Sequence, residues 1–220
     1  MLAQFVLFDG FDPLDVIAPF EVLGIGGVAG EGAIRVELVS AEGAREVPSG
    51  VGTLSLRATA KLDPQQADLI VVPGAAGRIP AKGEEAADEE AIPAILGGAL
   101  QTELPSLLKA ALDEPGLTVA TVCGGSLILA MAGLIDGRPA TTHHMGLDAL
   151  EATGAVVVAA RVVDDGDLVT GAGVTSGLDV ALHLLERELG PRVAHAVEQV
   201  VAHERRGVVW RPEGLVPAGL

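Results

Sequence analysis

Hydrophobic residues occur in short blocks along the chain, and helical stretches separate several of them. The blocks at 6–8, 34–39, 69–72 and 119–122 are rich in β-type residues. Strands that alternate with helices predict βαβ units, and therefore a parallel sheet covered by helices. Two later blocks, at 156–158 and 168–170, precede predicted helices at about 176–189 and 192–205, which Gly190-Pro191 separates.

The longest apolar stretch runs from Leu117 to Ile135 without a charged residue. Its length approaches the roughly 20 residues of a membrane span. The glycine pair Gly124-Gly125 and the β-branched first half argue against a span. We interpret the stretch as a buried strand followed by a buried helix.

Cys123 stands at the junction of that strand and helix and is the only cysteine of the chain. A sharp turn at this point is typical of a nucleophile elbow, in which a helix N-terminus favours the thiolate. A free cysteine in an apolar run is also commonly a small core residue. The sequence predicts an elbow but leaves both interpretations open.

Composition and charge narrow the class of protein. The chain is 49% hydrophobic but only 2% aromatic, so its core is built from aliphatic side chains. A net charge of −16 argues against nucleic-acid binding. One cysteine cannot form an internal disulfide, and the beginning of the chain lacks the basic residues of a signal peptide. These features predict a cytoplasmic protein without a membrane segment.

The connection between residues 72 and 117 is long and contains the acidic stretch 83–90. It predicts a solvated loop leading into a helix at about 92–112, although a lid or a subunit contact is the alternative. We expect one domain at 1–206, with 80–112 as an acidic and helical insertion. Residues 207–220 are expected to form a tail, loosely docked or mobile from Pro212 onward. Residues 53–57 alternate like a hairpin strand.

Three acids follow the first predicted strand: Asp9, Asp12 and Asp15. Turn formation or helix capping explains Asp9 and Asp12. Asp15 opens the next helix at the sheet edge that also carries Cys123, where a carboxyl group can donate a proton and activate water. Asp15 is therefore the candidate acid/base, with an N-cap role as the alternative.

Backbone N–H groups emerge at the same edge from the segment Val72-Pro73-Gly74-Ala75. The N–H groups of Gly74, Ala75 and Gly124 can form an oxyanion hole. The spacing of these glycines differs from a dinucleotide fingerprint. We expect no cofactor.

Histidines supply the remaining candidate chemistry. His143 and His144 follow a short strand and are candidate pocket residues, as is Thr175 before the helix at 176–189. Adjacent histidines point in different directions, so we expect no metal site. His183, His195 and His203 are interpreted as surface or packing residues.

Taken together, these segments resemble the DJ-1/PfpI superfamily, and within it the isonitrile hydratase-like branch. The matching pieces occur in the right order over about positions 5–185: Phe8-Asp9-Gly10 to Asp15, Pro19 to Leu23, Val72-Pro73-Gly74, Val122 to Ser126, Ala132 to Arg138 with Ala140 to His143, and Gly171 to Asp179 with Ala181-Leu182.

The resemblance implies a flavodoxin-like three-layer α/β sandwich with a mostly parallel central sheet, a nucleophile elbow and a homodimeric assembly. It also implies that Cys123 attacks the terminal carbon of an isocyanide, with Asp15 as the proton donor. A thioimidate then hydrolyses to an N-substituted formamide, and no cofactor is needed.

Three positions depart from this branch and alter the volume and polarity of the pocket. They are Ala75 in place of a glycine, Gly124 in place of a threonine and His144 in place of a tryptophan. The alternative functions are hydrolysis of glyoxals or amides with help from His143, and a non-enzymatic redox-sensing or ligand-binding role. Related sequences form part of transcription regulators, but the segment after Arg206 is too short for a helix-turn-helix.

Overall fold

The computed structural model describes residues 1–79 and 89–216. Its centre is a seven-stranded sheet with the order β10-β11-β7-β6-β1-β2-β5, in which every neighbouring pair except β10–β11 is parallel. The strands of this sheet are β1 (Leu2–Leu7), β2 (Arg35–Ser40), β5 (Ala60–Lys61), β6 (Leu69–Val72), β7 (Thr118–Thr121), β10 (Val162–Asp164) and β11 (Leu168–Gly171). The predicted parallel α/β sheet is confirmed.

Two short two-stranded sheets accompany the central one. A hairpin joins β3 (Arg45–Pro48) to β4 (Ser55–Ala58), as the alternation at 53–57 predicted. The second pair consists of β8 (Pro139–Ala140) and β9 (Val156–Val157). The predicted strand at 156–158 therefore exists, but it lies outside the central sheet.

Helices form the outer layers. They are α1 (Pro13–Ala29), α2 (Ile92–Ala99), α3 (Leu104–Asp113), α4 (Gly125–Met131), α5 (Leu147–Ala152), α6 (Ser176–Leu189) and α7 (Pro191–Val201). Helices α1, α6 and α7 contact one another, while α4 contacts α2, α3 and α5. The seam between α1 and α6 is close, because a Cβ on Gly26 would overlap the Leu185 side chain.

The core between these layers is aliphatic, as the composition predicted. The strands β6 and β11 are buried at every position, which is the pattern of strands covered on both faces. One aromatic contact, Phe5 against Phe20 with centroids 5.2 Å apart, joins β1 to α1.

The helix predicted at about 92–112 is divided in the structure. Helix α2 ends at Ala99, just after Gly97-Gly98, and α3 begins at Leu104 with Pro105 in its first turn. Glycine lowers helix stability and proline is accommodated at a helix start, which explains the break. The acidic residues 83–88 lie outside the described residues. The loop or lid expected in that segment therefore stays a prediction.

The C-terminal segment also differs from the expectation of a tail that begins at 207. Trp210 pairs with β10: its N–H donates to Val162 O at 3.0 Å, and its carbonyl accepts from Asp164 N–H at 2.9 Å. Arg211 forms an ion pair with buried Asp164 at 3.3 Å. Trp210 therefore adds to the edge of the sheet, and Arg211 is anchored beside it.

The stretch Leu117–Ile135 forms β7 and α4, as interpreted from the sequence. Among the described residues, no helix has the length and apolar character needed to cross a membrane.

Candidate active site

Cys123 occupies a sharp turn between β7 and α4. Its φ angle is +56°, a left-handed conformation that is strained for a non-glycine residue. The Cys123 N–H donates to Ala172 O at 2.8 Å, and the Thr142 hydroxyl donates to Cys123 O at 2.8 Å. Gly125, two positions after Cys123, must be glycine, because a Cβ there would overlap the Val72 carbonyl oxygen. The predicted nucleophile elbow is present in this geometry.

Asp15 lies in the first turn of α1 and is fully buried. Asp12 caps this helix, since its carboxylate accepts from Leu14 N–H at 2.9 Å, as expected for a capping aspartate. The Asp15 Oδ2 atom accepts from Gly74 N–H at 2.8 Å. Its Oδ1 atom is buried and has no hydrogen-bond partner in the part of the chain that the structure describes. Asp9 instead pairs with Arg45 on the surface at 2.7 Å.

The carboxyl of Asp15 and the thiol of Cys123 interact with each other. Burial, together with the charge of Asp12, raises the pKa of Asp15 to about 8, against the opposing hydrogen bonds from Gly74 and Cys123. Burial and the charge of Asp15 also raise the pKa of the Cys123 thiol, although the Gly124 N–H opposes this. At neutral pH both raised values favour the protonated carboxyl group of Asp15 and the protonated thiol of Cys123.

The raised pKa of Cys123 differs from the sequence expectation that the elbow favours a free thiolate. The helix N-terminus provides one stabilising N–H, but desolvation is the larger cause. The Cys123 thiol must therefore lose its proton during the reaction, and the neighbouring Asp15 is the group that interacts with it.

The backbone donors are arranged differently from the prediction. The Gly74 N–H is occupied by Asp15, so it is not available for an oxyanion in this arrangement. The N–H of Ala75 has no acceptor among the described residues, while the N–H of Gly124 hydrogen-bonds the Cys123 thiol. The Ala75 and Gly124 N–H groups are therefore the candidate donors.

Contacts between the first loop, residues 8–12 after β1, and the second loop, residues 73–79 after β6, hold this arrangement in place. Asp12 N–H donates to Gly74 O at 2.9 Å, and Ala76 N–H donates to Gly10 O at 3.0 Å. A Cβ on Gly74 would lie 2.6 Å from Gly124 N and 3.0 Å from Asp15 Oδ2. Gly74 is thus fixed as glycine by the close approach of the two loops and the elbow.

The two adjacent histidines lie beside this centre without bonding to it. Their rings are 4.2 Å apart, and His143 Nδ1 accepts from Met145 N–H at 3.3 Å. Partial burial and the neighbouring His144 lower the pKa of His143. Within the part of the chain that the structure describes, neither ring hydrogen-bonds Cys123.

Thr175, the third candidate pocket residue, is engaged by an arginine that sequence reasoning missed. Arg161 donates to Thr175 O at 2.8 Å and to its Oγ1 at 3.1 Å, and pairs with buried Asp179 at 2.7 Å. These bonds fix the loop that supplies Ala172 O to Cys123. Only the tertiary contacts show this role, since Arg161 belongs to no motif.

The other histidines have packing or surface positions, as interpreted. His183 is buried and hydrogen-bonds Asp164 at 2.7 Å, His203 lies 3.3 Å from Asp179, and His195 is exposed. In residues 1–79 and 89–216, no group of three or more histidine, cysteine or acidic side chains is placed to hold a metal ion.

The fold and site define a class of α/β proteins with a cysteine elbow beside a buried carboxyl group. The model of the DJ-1/PfpI family matches residues 1–187. The chain belongs to the DJ-1/PfpI family.

Relatives and solved structures agree with this assignment. Isonitrile hydratase from Pseudomonas putida is 35% identical over 194 residues, which cover 88% of this chain and 75% of that protein. The transcriptional regulator CdhR of Pseudomonas aeruginosa is 38% identical over 90 residues, but these cover only 40% of this chain and 27% of the regulator. Drosophila melanogaster DJ-1beta superposes with a TM-score of 0.74 at 19% identity, over 92% of this chain and 98% of that one, which supports the flavodoxin-like fold.

Proposed function

We propose that the protein is a cysteine-dependent enzyme that hydrates an isocyanide to an N-substituted formamide, with Cys123 as nucleophile and Asp15 as acid/base. The observation that carries the proposal is the buried pair of the Asp15 carboxyl group and the Cys123 thiol at the elbow. The similarity to isonitrile hydratase over most of the chain supports the choice of substrate class. The reaction needs no cofactor.

The terminal carbon of an isocyanide accepts both a proton and a nucleophile, which suits this pair. The Asp15 carboxyl group donates its proton to the isocyanide carbon and takes the thiol proton of Cys123, whose sulfur forms a bond to the same carbon. The product of this step is a thioimidate, in which that carbon bears a hydrogen and a single bond to sulfur. Asp15 is left protonated.

Water completes the reaction in the second half. Asp15 donates its proton to the nitrogen and takes a proton from water as the hydroxyl adds to the thioimidate carbon. The carbon–sulfur bond then breaks as the hydroxyl proton passes to the sulfur, which releases the formamide and the Cys123 thiol. One water is consumed, and the Asp15–Cys123 pair returns to its starting protonation.

Access to the thiol also favours a slender substrate. Cys123 is 8% exposed, and a cavity of about 600 Å³ near the first loop does not include it among its lining residues. The linear N≡C group reaches such a thiol with less displacement of neighbours than a planar amide or a glyoxal does. The glyoxal and amide alternatives also invoke His143, which makes no hydrogen bond to Cys123 in the described structure.

The test is turnover of n-butyl isocyanide, followed by proton NMR of N-butylformamide. We expect Cys123→Ala to abolish turnover with an unchanged melting temperature, and Asp15→Asn to lower it by roughly 10²–10⁴-fold. The matched control is Gly24→Ala, since Gly24 lies in α1 with only an ordinary contact to Val36. Full activity of Cys123→Ala would refute the proposed nucleophile.

Parallel assays with methylglyoxal distinguish the second enzymatic possibility. Turnover of methylglyoxal without turnover of the isocyanide would favour the glyoxal alternative over the proposed reaction. The cytoplasmic location and the homodimer are part of the same proposal, and size-exclusion chromatography with light scattering tests the dimer.

A further inference from the structure

Helix α2 contacts all three loops that build the candidate active site. Its Leu96 is 2% exposed, and Leu96 Cδ1 lies 3.7 Å from where a Cβ on Gly124 would stand. The other nearest atoms around that point are Gly74 Cα at 3.6 Å and Ala75 N at 3.9 Å. Leu96 is therefore the apolar wall of the recess that holds the candidate N–H donors beside Cys123.

Ile95 makes the contacts with the other two loops. A Cβ on Gly10 would lie 2.5 Å from Ile95 Cγ2, and one on Gly77 would lie 2.9 Å from Ile95 Cδ1. The two loops that position Asp15 and Ala75 thus pack against one side chain of α2. A displacement of α2 would uncover the elbow and both loops together.

The helix itself is weakly stabilised. It has eight residues, no side-chain hydrogen bond at its N-cap Ala91, and only two buried residues, Leu96 and Ala99. Gly97 and Gly98 lie in its last turn. A Cβ on either would have no atom of residues 1–79 or 89–216 within 4 Å, so no described neighbour requires glycine. Glycine lowers helix stability, and segments with few buried contacts open locally at small cost.

Two backbone hydrogen bonds connect the start of the helix to residue 78. Arg78 N–H donates to Glu90 O at 2.8 Å, and Ile92 N–H donates to Arg78 O at 3.0 Å. These two bonds fix the start of α2, whereas its last turn contacts the site through Leu96. The geometry allows the helix to unwind from its glycine end while its first turn stays attached.

We propose that α2 is a movable cap that controls access to Cys123, with Leu96 as the residue that limits the width of the molecules admitted. The proposal rests on Cys123 being the reacting group of the proposed function. It deepens that function by assigning its size selectivity: the closed cap admits slender, unbranched groups, and wider groups require α2 to open. The acidic segment before α2 takes no part in the argument.

The experiment measures alkylation of the single thiol in the full-length protein, which does not depend on the isocyanide assay. Iodoacetamide is the narrow reagent, and N-(1-pyrenyl)maleimide is the wide one. The variants are Leu96→Ala, which widens the recess, and Gly97→Ala/Gly98→Ala, which stabilises the closed helix. Gly24→Ala is the matched control, because it raises helix propensity in α1, away from the cap.

Leu96→Ala is expected to speed the pyrenylmaleimide reaction by about tenfold or more while iodoacetamide changes by less than about threefold. Each Gly→Ala change shifts helix opening by about three- to fivefold, so the double variant should slow the pyrenylmaleimide reaction by roughly tenfold and change the iodoacetamide reaction by less than about threefold. Gly24→Ala should leave both rates unchanged. Amide hydrogen exchange should show the protection of α2 rising in the double variant and not in Gly24→Ala.

Failure of the cap is distinguishable from failure of the proposed function. Equal alkylation rates in wild type, Leu96→Ala and the double variant would overturn the cap and leave a reactive Cys123 in place. Protection of α2 amides as strong as that of α6 in the wild-type protein would overturn it as well. A thiol that reacts in every variant, combined with no turnover of n-butyl isocyanide, would instead count against the proposed reaction.

Discussion

At the residue scale, the protonation of Asp15 is the property that separates this site from an ordinary buried cysteine. A carboxyl group usually titrates near 3.8, but in this fold burial raises the pKa of Asp15 to about 8. The raised value keeps a proton available beside the thiol at neutral pH. The raised pKa also means that Asp15 lowers the stability of the folded state, at a cost that depends on pH.

The sign of that cost follows from proton binding. Between pH 4 and 8 the folded protein keeps a proton on Asp15 that the unfolded chain has lost, so the free energy of unfolding falls as pH rises through this range. We expect Asp15→Asn to remove this slope and to stabilise the protein at pH 8 by on the order of a few kcal/mol relative to wild type.

Urea denaturation of both proteins at pH 5 and pH 8 measures this effect. An Asp15→Asn variant whose advantage over wild type is the same at both pH values would show that Asp15 titrates near its usual pKa. As a control for chemical damage, the Cys123 thiol of the unfolded protein should keep its normal reactivity at both pH values.

Glycines 74 and 124 form a matched pair for the backbone of the site. A Cβ on Gly74 would lie 2.6 Å from Gly124 N, whereas the nearest atom to a Cβ on Gly124 is Gly74 Cα at 3.6 Å. We expect Gly74→Ala to destabilise the protein by about 1–3 kcal/mol and to abolish turnover in the formamide assay. Gly124→Ala should keep the stability of the wild type, and thermal denaturation of the two variants measures the difference.

At the element scale, the helix that carries Asp15, α1, packs closely against α6. Gly26 faces Leu185 so closely that a methyl group would overlap it, but Gly24 on the same helix has Val36 Cγ2 at 3.7 Å. Alanine substitutions at Gly26 and Gly24 therefore measure the effects of close packing and of helix propensity separately within one helix.

We expect Gly26→Ala to lower the free energy of unfolding by about 1–3 kcal/mol through overpacking. Gly24→Ala should raise it by up to about 1 kcal/mol, because alanine is the better helix former. Chemical denaturation of the two single variants measures both. A stabilising Gly26→Ala would mean that α1 and α6 are packed less closely than the structure has them.

At the scale of the whole molecule, the C-terminal segment completes the sheet. Asp164 is buried, and burial opposes its charge. Hydrogen bonds from His183 and Gly166, together with the charges of His183 and Arg187, outweigh burial and lower the pKa of Asp164 to about 2. Arg211 adds an ion pair to the same carboxylate. The segment around Trp210 thus joins the β10 edge by backbone hydrogen bonds and by charge.

Truncation tests this role of the segment. Removal of residues 207–220 deletes the Trp210 pairing and the Arg211 ion pair, so we expect a loss of about 1–3 kcal/mol of stability. Removal of residues 213–220 should have little effect. Equal melting temperatures for the two truncated proteins and the full chain would show that the segment does not contribute to the sheet.

The sequence by itself determined the features that depend on neighbouring residues. The strand at 69–72 and the helix at 176–189 match the structure at both ends, because each has a clear pattern and a clear boundary. The elbow at Cys123 was predictable for the same reason, since strand, cysteine, glycine pair and helix are consecutive. The acid/base role proposed for Asp15 also came from position and family resemblance.

Only the tertiary structure decided the burial, hydrogen bonds and charges around those residues. Asp15 and Gly74 are 59 positions apart in sequence, and their hydrogen bond removes one predicted oxyanion donor. The raised pKa of the thiol comes from burial and from the Asp15 charge, which no local pattern encodes. Leu96 of α2, Arg161 and Trp210 escaped sequence reasoning because their contacts depend on distant segments that only folding brings together.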